Sequence, residues 1–155
     1  MNHLPRRTFL KSILATGGAM ALGTTVLPSA VMADWPKMAF DASTVKEALL
    51  ALFENDDVEE SDKITIKAPD TAENGAVVPV SITANLRKVE SITVIGENNP
   101  TPLIAQFNLA DNAGNYIKTK IKMGETSNVV AVVKADGKLY VARRQVEITE
   151  GGCGG

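Results

Sequence analysis

From Lys63 to Ile148 apolar and polar residues alternate in short runs, and turn residues cut the runs apart. Ile64 and Ile66 alternate with Lys63, Thr65 and Lys67. Further runs of the same kind lie near 77–84, 89–95, 103–109, 116–123, 127–133 and 138–148. A period of two places successive side chains on opposite faces of a strand, so each run is a strand with one buried face. The breaks are Pro69-Asp70, Asn74-Gly75, Asn98-Asn99-Pro100, Asp111-Asn112-Ala113-Gly114 and Asp136-Gly137. Each carries turn chemistry, and Asp136-Gly137 between two β-rich runs predicts a two-residue hairpin. Seven short strands with no helix between them predict an antiparallel, immunoglobulin-like sandwich. Pro79 cannot donate to a ladder and predicts an edge or a bulge at its position.

One helix is expected before the strands. Thr44-x-x-Glu47 is a capping box, and Val45, Ala48, Leu49, Leu52 and Phe53 follow at helical spacing, which predicts a helix over 44–53. Residues 34–37 read as a loose lead-in.

The N-terminus has a different character. Pro5-Arg6-Arg7-Thr8-Phe9-Leu10-Lys11 precedes an apolar stretch and then Val31-Met32-Ala33. The paired Arg6 and Arg7 mark a twin-arginine export signal, with cleavage expected before Asp34 and a periplasmic destination. Gly17, Gly18 and Gly23 leave the apolar stretch short and weakly hydrophobic for a membrane span. Three parts are therefore expected: a signal over 1–33, a sandwich domain over 34–149 and a glycine-rich arm over 150–155. Removing 33 of 155 residues leaves 122, enough chain to bury a core without disulfides. The signal holds three of the 16 cationic side chains and none of the 18 acidic ones, so the mature charge is −5. An acidic domain has no electrostatic footprint for a nucleic-acid backbone. His3, the single histidine, leaves with the signal, which excludes an imidazole base and a histidine metal site. Met38, Met123 and Trp35 are too scattered for a copper or haem site. A twin-arginine signal exports folded protein. Without ligands for a metal or cofactor, pairing with a second subunit is the better reason for that route.

Three charged features stand out. Asp56, Asp57, Glu59, Glu60 and Asp62 form an acidic run. It lacks the spacing of a calcium loop and reads as a solvated connector. Lys118, Lys120 and Lys122 alternate with Ile117, Thr119, Ile121 and Met123. They read as the wet face of a sheet or as edge protection, with an anionic substrate or acidic partner as the functional alternative. Arg143-Arg144 interrupts the last alternating run, as a structural feature, a bulge or a partner contact would.

The chain ends Gly151-Gly152-Cys153-Gly154-Gly155. No packed structure needs four glycines around a cysteine at a free end, so a flexible arm is expected. Cys153 is the third residue past Glu150, an extended reach of about 10 Å. The glycines keep the thiol free of bulky neighbours and let it enter a narrow cleft. No neighbouring cation or helix N-terminus activates it. A thiol at its ordinary pKa of about 8.5 is only a few per cent thiolate at neutral pH. With no resolving cysteine either, the arrangement fits a thiol presented to other proteins better than a self-contained enzyme. The alternative is a secreted binding or structural sandwich whose Cys153 only forms intermolecular disulfides.

Four stretches together resemble the SoxY family, the cysteine-bearing subunits of the SoxYZ carriers of bacterial sulfur oxidation. They are the twin-arginine signal, residues 72–80 (Ala-Glu-Asn-Gly-Ala-Val-Val-Pro-Val), Lys120-Ile121-Lys122-Met123 with the following 126–130, and the terminal Gly-Gly-Cys-Gly-Gly. The resemblance implies that Cys153 carries thiosulfate-derived sulfur and that the chain is a substrate carrier rather than an enzyme. It implies a heterodimer with a Z-type β-sandwich subunit. It also implies three partner enzymes: a haem c thiosulfate:carrier transferase, a dinuclear manganese hydrolase that releases sulfate, and a molybdenum–haem sulfane dehydrogenase. No cofactor of the carrier's own is implied.

Overall fold

The computed structural model describes residues 36–150. Two helices open this segment, α1 (Lys37–Phe40) and α2 (Val45–Phe53). Nine strands follow: β1 (Glu59–Glu60), β2 (Ile64–Lys67), β3 (Thr71–Ala72), β4 (Val78–Ala84), β5 (Val89–Gly96), β6 (Leu103–Asn108), β7 (Tyr116–Ile121), β8 (Ser127–Ala135) and β9 (Lys138–Ile148). The fold is mostly β, with two sheets.

The capping box predicted at Thr44 is formed in full. The Glu47 amide donates to Thr44 Oγ1, and the Glu47 carboxylate accepts from the Thr44 amide. Two orphan donors of the first turn are thereby satisfied. Glu54 ends α2 in the left-handed conformation. Of the lead-in expected over 34–37, residues 34 and 35 lie outside the described residues, and Lys37 departs from it by opening an extra helix, α1, which buries Ala39.

The larger sheet has the order β1-β9-β8-β5-β6, with β3 also on β9; the smaller is β2-β4-β7. The seven expected strands are all present, and β1 and β3 are additions. These two-residue strands pair parallel to β9, which departs from the all-antiparallel expectation. They cover the outer edge of β9 that would otherwise expose unpaired amides and carbonyls. β1 draws the end of the acidic run onto the sheet, so that run is more than a solvated connector. The predicted hairpin joins β8 to β9, with Asp136 at φ 50° and Gly137 at φ 75°. Two positive φ values define the type I′ turn that suits the twist of paired strands. Pro79 lies on the central strand of the small sheet, yet β2 pairs only with Ser81–Ala84, so the β2 flank is open at Pro79.

The core lies in two layers. Between the sheets pack Ile64, Ile66, Val78, Val80 and Ile82 from one side and Ile92, Val94, Val129, Ala131 and Val133 from the other. On the opposite face of the larger sheet, Ile95, Leu103, Val130, Val132 and Val141 meet Ala39, Ala48 and Leu49 of the helices. β8 is therefore buried on both faces, as its unbroken run from Val129 to Val133 requires.

Candidate functional site

Cys153, its glycines Gly151, Gly152, Gly154 and Gly155, and the signal residues Arg6 and Arg7 lie outside the described residues. The structure does describe the point from which the last five residues depart. The Glu150 carbonyl accepts from the Gly75 amide at 3.0 Å, and the Gly75 carbonyl accepts from the Met123 amide at 2.8 Å. One residue earlier, the Thr149 amide donates to the Ala72 carbonyl at 3.2 Å. Before that, the Ile148 amide donates to Thr126 Oγ1 at 2.8 Å. The end of β9 is thus tied to two loops, one around Ala72–Gly75 and one around Lys122–Thr126. Two of the four stretches that carry the family resemblance, residues 72–80 and 120–130, meet here beside Glu150, the last described residue.

Each loop is held by its own chemistry. Asn74 Oδ1 accepts from the Ala76 amide at 2.8 Å and shapes the turn that aims Gly75 at both partners. Asn99 spans the other loop: its amide nitrogen donates to the Lys122 carbonyl at 2.8 Å and its oxygen accepts from the Gly124 amide at 2.9 Å. Gly96 makes room for that side chain, since a Cβ there would lie 2.7 Å from Asn99 Nδ2. Met123 is fully buried and unavailable as a metal ligand.

Lys118 and Lys120 project from the outer face of β7, and Lys122 continues their row beyond it. The inward partners Ile117 and Ile121 are buried, as the alternation predicts. β7 is an edge strand, so these lysines also protect an open edge. Arg143 and Arg144 do not mark a bulge, because the β8–β9 ladder runs in continuous register through both. The two point to opposite faces. Arg143 pairs with Glu60 of β1, and Arg144 donates to the Ala68 carbonyl at 3.1 Å and pairs with Asp70 at 2.7 Å. They break the hydrophobic alternation because each anchors one crossing segment over β9.

A hollow of about 500 Å³ adjoins the Lys122–Gly124 loop, walled by Asn99, Pro100, Leu103 and Ile104. A larger one, about 890 Å³, lies by the Asp136–Gly137 turn. It is at the other end of β8, whose nine residues span roughly 27 Å. Near that turn the Glu90 carboxyl is held below its ordinary pKa, first by a hydrogen bond from Lys134 and then by the Gly137 amide. Among the described residues no group of three or more His, Cys, Asp or Glu side chains is placed to hold a metal. The described chemistry around Glu150 is a set of hydrogen bonds that fix this end of β9 against its two loops.

The family model for sulfur oxidation protein SoxY matches residues 49–153, a span that includes Cys153. Among solved structures, the chain is similar to the sulfur carrier protein SoxY from Chlorobium limicola f thiosulfatophilum. That match has 37% identity and a TM-score of 0.63, and covers 73% of this chain and 98% of the other. A superoxide reductase (neelaredoxin) from Ignicoccus hospitalis shares the fold alone, at 12% identity and a TM-score of 0.52, over 59% of this chain and 94% of its own. No curated protein matches the chain.

Proposed function

The chain belongs to the SoxY family of sulfur oxidation proteins, and from that premise we propose that it is a covalent carrier of thiosulfate-derived sulfur on Cys153. The observation that carries this reading is the family match running through Cys153 while the fold fixes Glu150 three residues earlier. A thiol on a short tether of glycines that leaves an anchored root suits presentation to sites on other proteins. Tethering also raises the local concentration of a small anion that offers little surface to grip.

The chemistry balances as follows. The thiol and thiosulfate join through a new S–S bond, releasing one proton and two electrons. A haem c transferase of the Sox system takes the electrons. Hydrolysis of the terminal sulfonate, assigned to a manganese enzyme, releases sulfate and leaves a sulfane sulfur on Cys153. A sulfane dehydrogenase oxidises that sulfur onward. The carrier is the substrate-bearing subunit in each step and not an enzyme.

The same reading includes twin-arginine export to the periplasm through Arg6 and Arg7, and a heterodimer with a SoxZ-like subunit formed before export. It also includes an immunoglobulin-like topology. What supports it is that the first, second and fifth of the seven main strands form one sheet and the third, sixth and seventh lie together in the other; the fourth, β6, joins the larger sheet, where the immunoglobulin constant type would place it with the smaller. The test is Cys153→Ser in the producing organism. The variant is expected to accumulate in the periplasm at the normal level and to abolish thiosulfate oxidation. Thiosulfate oxidation at the parental rate would overturn the proposal.

A further inference from the structure

The outer face of the small sheet carries charge of one sign only. Strands β2, β4 and β7 contain no acidic residue. Lys67, Lys118 and Lys120 stand exposed on that face, and Lys122 extends it. The ladder sets Lys67 and Lys118 on either side of Ser81, and Lys120 opposite Pro79, so nothing anionic separates them. Of the nine other cations among the described residues, Lys37, Lys46, Lys88, Lys134, Arg143 and Arg144 pair with a carboxylate, while Lys63, Arg87 and Lys138 stand scattered without an ion pair. Among the described residues none of the four lysines of this face has an ion pair. This face is cationic within a mature chain of charge −5, in which acids outnumber bases. Edge protection explains charge on β7, but it does not require that acids be missing from all three strands.

The face leads to the root of the terminal segment. Lys122 adjoins Met123, whose amide is bonded to Gly75, whose own amide is bonded to Glu150. A body resting on the lysines therefore sits beside the departure point of Cys153. The lysines lie on a flat surface, about 7 Å apart along the strand and about 13 Å from Lys118 to Lys122. That spacing cannot converge on one small anion, but it matches an extended acidic surface.

We propose that the lysine face of β2, β4 and β7 docks an acidic protein surface on the enzyme that loads Cys153, orienting that enzyme's cleft toward the arm. This rests on the carrier reading above and names the interaction surface it leaves open. Long-range attraction of this kind acts mainly on association rate and is screened by salt.

The test uses the full mature carrier, in complex with its partner subunit, and the thiosulfate-coupling c-type cytochrome of the same organism. Loading of Cys153 is followed by intact mass at low and at physiological ionic strength. The variant is Lys118→Glu/Lys120→Glu/Lys122→Glu, which keeps the edge charged. The control is Lys37→Glu/Lys46→Glu/Lys138→Glu, with the same charge change away from this face. The face variant is expected to lose about tenfold in kcat/KM for the carrier at low salt, within the range of steering effects. That deficit should shrink as salt rises, and the kcat at saturating carrier and the rate of Cys153 alkylation by iodoacetamide should be unchanged. Equal losses in face and control variants would overturn the proposal. So would an effect on the KM for thiosulfate alone, which would make the face a small-anion site. Loading of wild type with no loss in the face variant refutes the docking face and leaves the carrier reading standing. Failure of wild type to load at all removes both.

Discussion

Gly96→Ala tests whether the ties that hold the Lys122–Gly124 loop are built as described. The added Cβ would lie 2.7 Å from Asn99 Nδ2, 3.0 Å from Asn99 Cγ and 3.2 Å from Ile104 Cδ1. Ile104 is partly buried and yields at its flexible end. Asn99 has less freedom, because its amide holds both the Lys122 carbonyl and the Gly124 amide. Rotating it away forfeits two hydrogen bonds at about 1 kcal/mol each. Removing a glycine from the unfolded chain returns about 0.4–1 kcal/mol. The net loss is about 1–1.5 kcal/mol, or roughly 5 °C in Tm for a domain of this size. Thermal unfolding followed by circular dichroism, in a Cys153→Ser background to avoid crosslinks, measures it. The causal link is checked by a double-mutant cycle. In Asn99→Ala the clash partner is gone, so adding Gly96→Ala should cost nothing or stabilise slightly. A Gly96→Ala protein as stable as its parent, or a loss that is the same with and without Asn99, would refute the argument.

Three further outcomes are expected. Gly152→Val and Gly154→Val should leave Tm unchanged and slow enzymatic loading or unloading of Cys153, because a branched Cβ widens the chain beside the thiol; loading and unloading rates equal to wild type would show that the glycines serve no purpose as a thin probe. Glu90→Gln should cost at most about 0.5 kcal/mol at neutral pH, since the Lys134 pair is exposed. A depressed carboxyl pKa stabilises above the ordinary carboxylate range and loses that effect as pH falls through its folded value, so a Glu90→Gln deficit that grows with acid would contradict the assignment. Sedimentation of the Cys153→Ser chain should show self-association alone and a tight heterodimer with its Z-type subunit, whereas a clean monomer that ignores that subunit would refute the pairing.

Most of the strand plan was legible because the governing pattern is local. Alternation, Asp136-Gly137 and the Thr44–Glu47 box each act within a few residues, and each appears where expected. What the alternation does not disclose is long-range. β1 and β3 are two residues long, too short for any period, and they exist because β9 offers an open edge and Arg143 and Arg144 supply anchors. Of the alternatives open at those arginines, the structural use is the one observed, on a strand that is occupied on both faces. A cue to the second core layer was present in Val129–Val133, an apolar run without alternation, which only a strand covered on both faces can bury. α1 is four residues long and is held by the burial of Ala39 against the other helix and β6, which no local propensity foretells. The ties around Glu150 were equally hidden. Asn74-Gly75 reads as a turn, but its task of linking Glu150 to Met123 depends on residues about 50 and 75 positions apart coming together. The reading of Cys153 rests on sequence alone, on four glycines around a single thiol, and that segment lies outside the described residues.

The central claim is that Cys153 carries inorganic sulfur covalently. The most direct measurement is the intact mass of the mature protein taken from thiosulfate-oxidising cells without reductant, with peptide mapping of the C-terminal segment. The account predicts adducts of sulfur or of sulfur oxyanions on Cys153. They should be absent from Cys153→Ser, be released by a small thiol, and decline when thiosulfate is withdrawn. A population consisting only of free thiol and carrier–carrier disulfide, unchanged by thiosulfate, would contradict it.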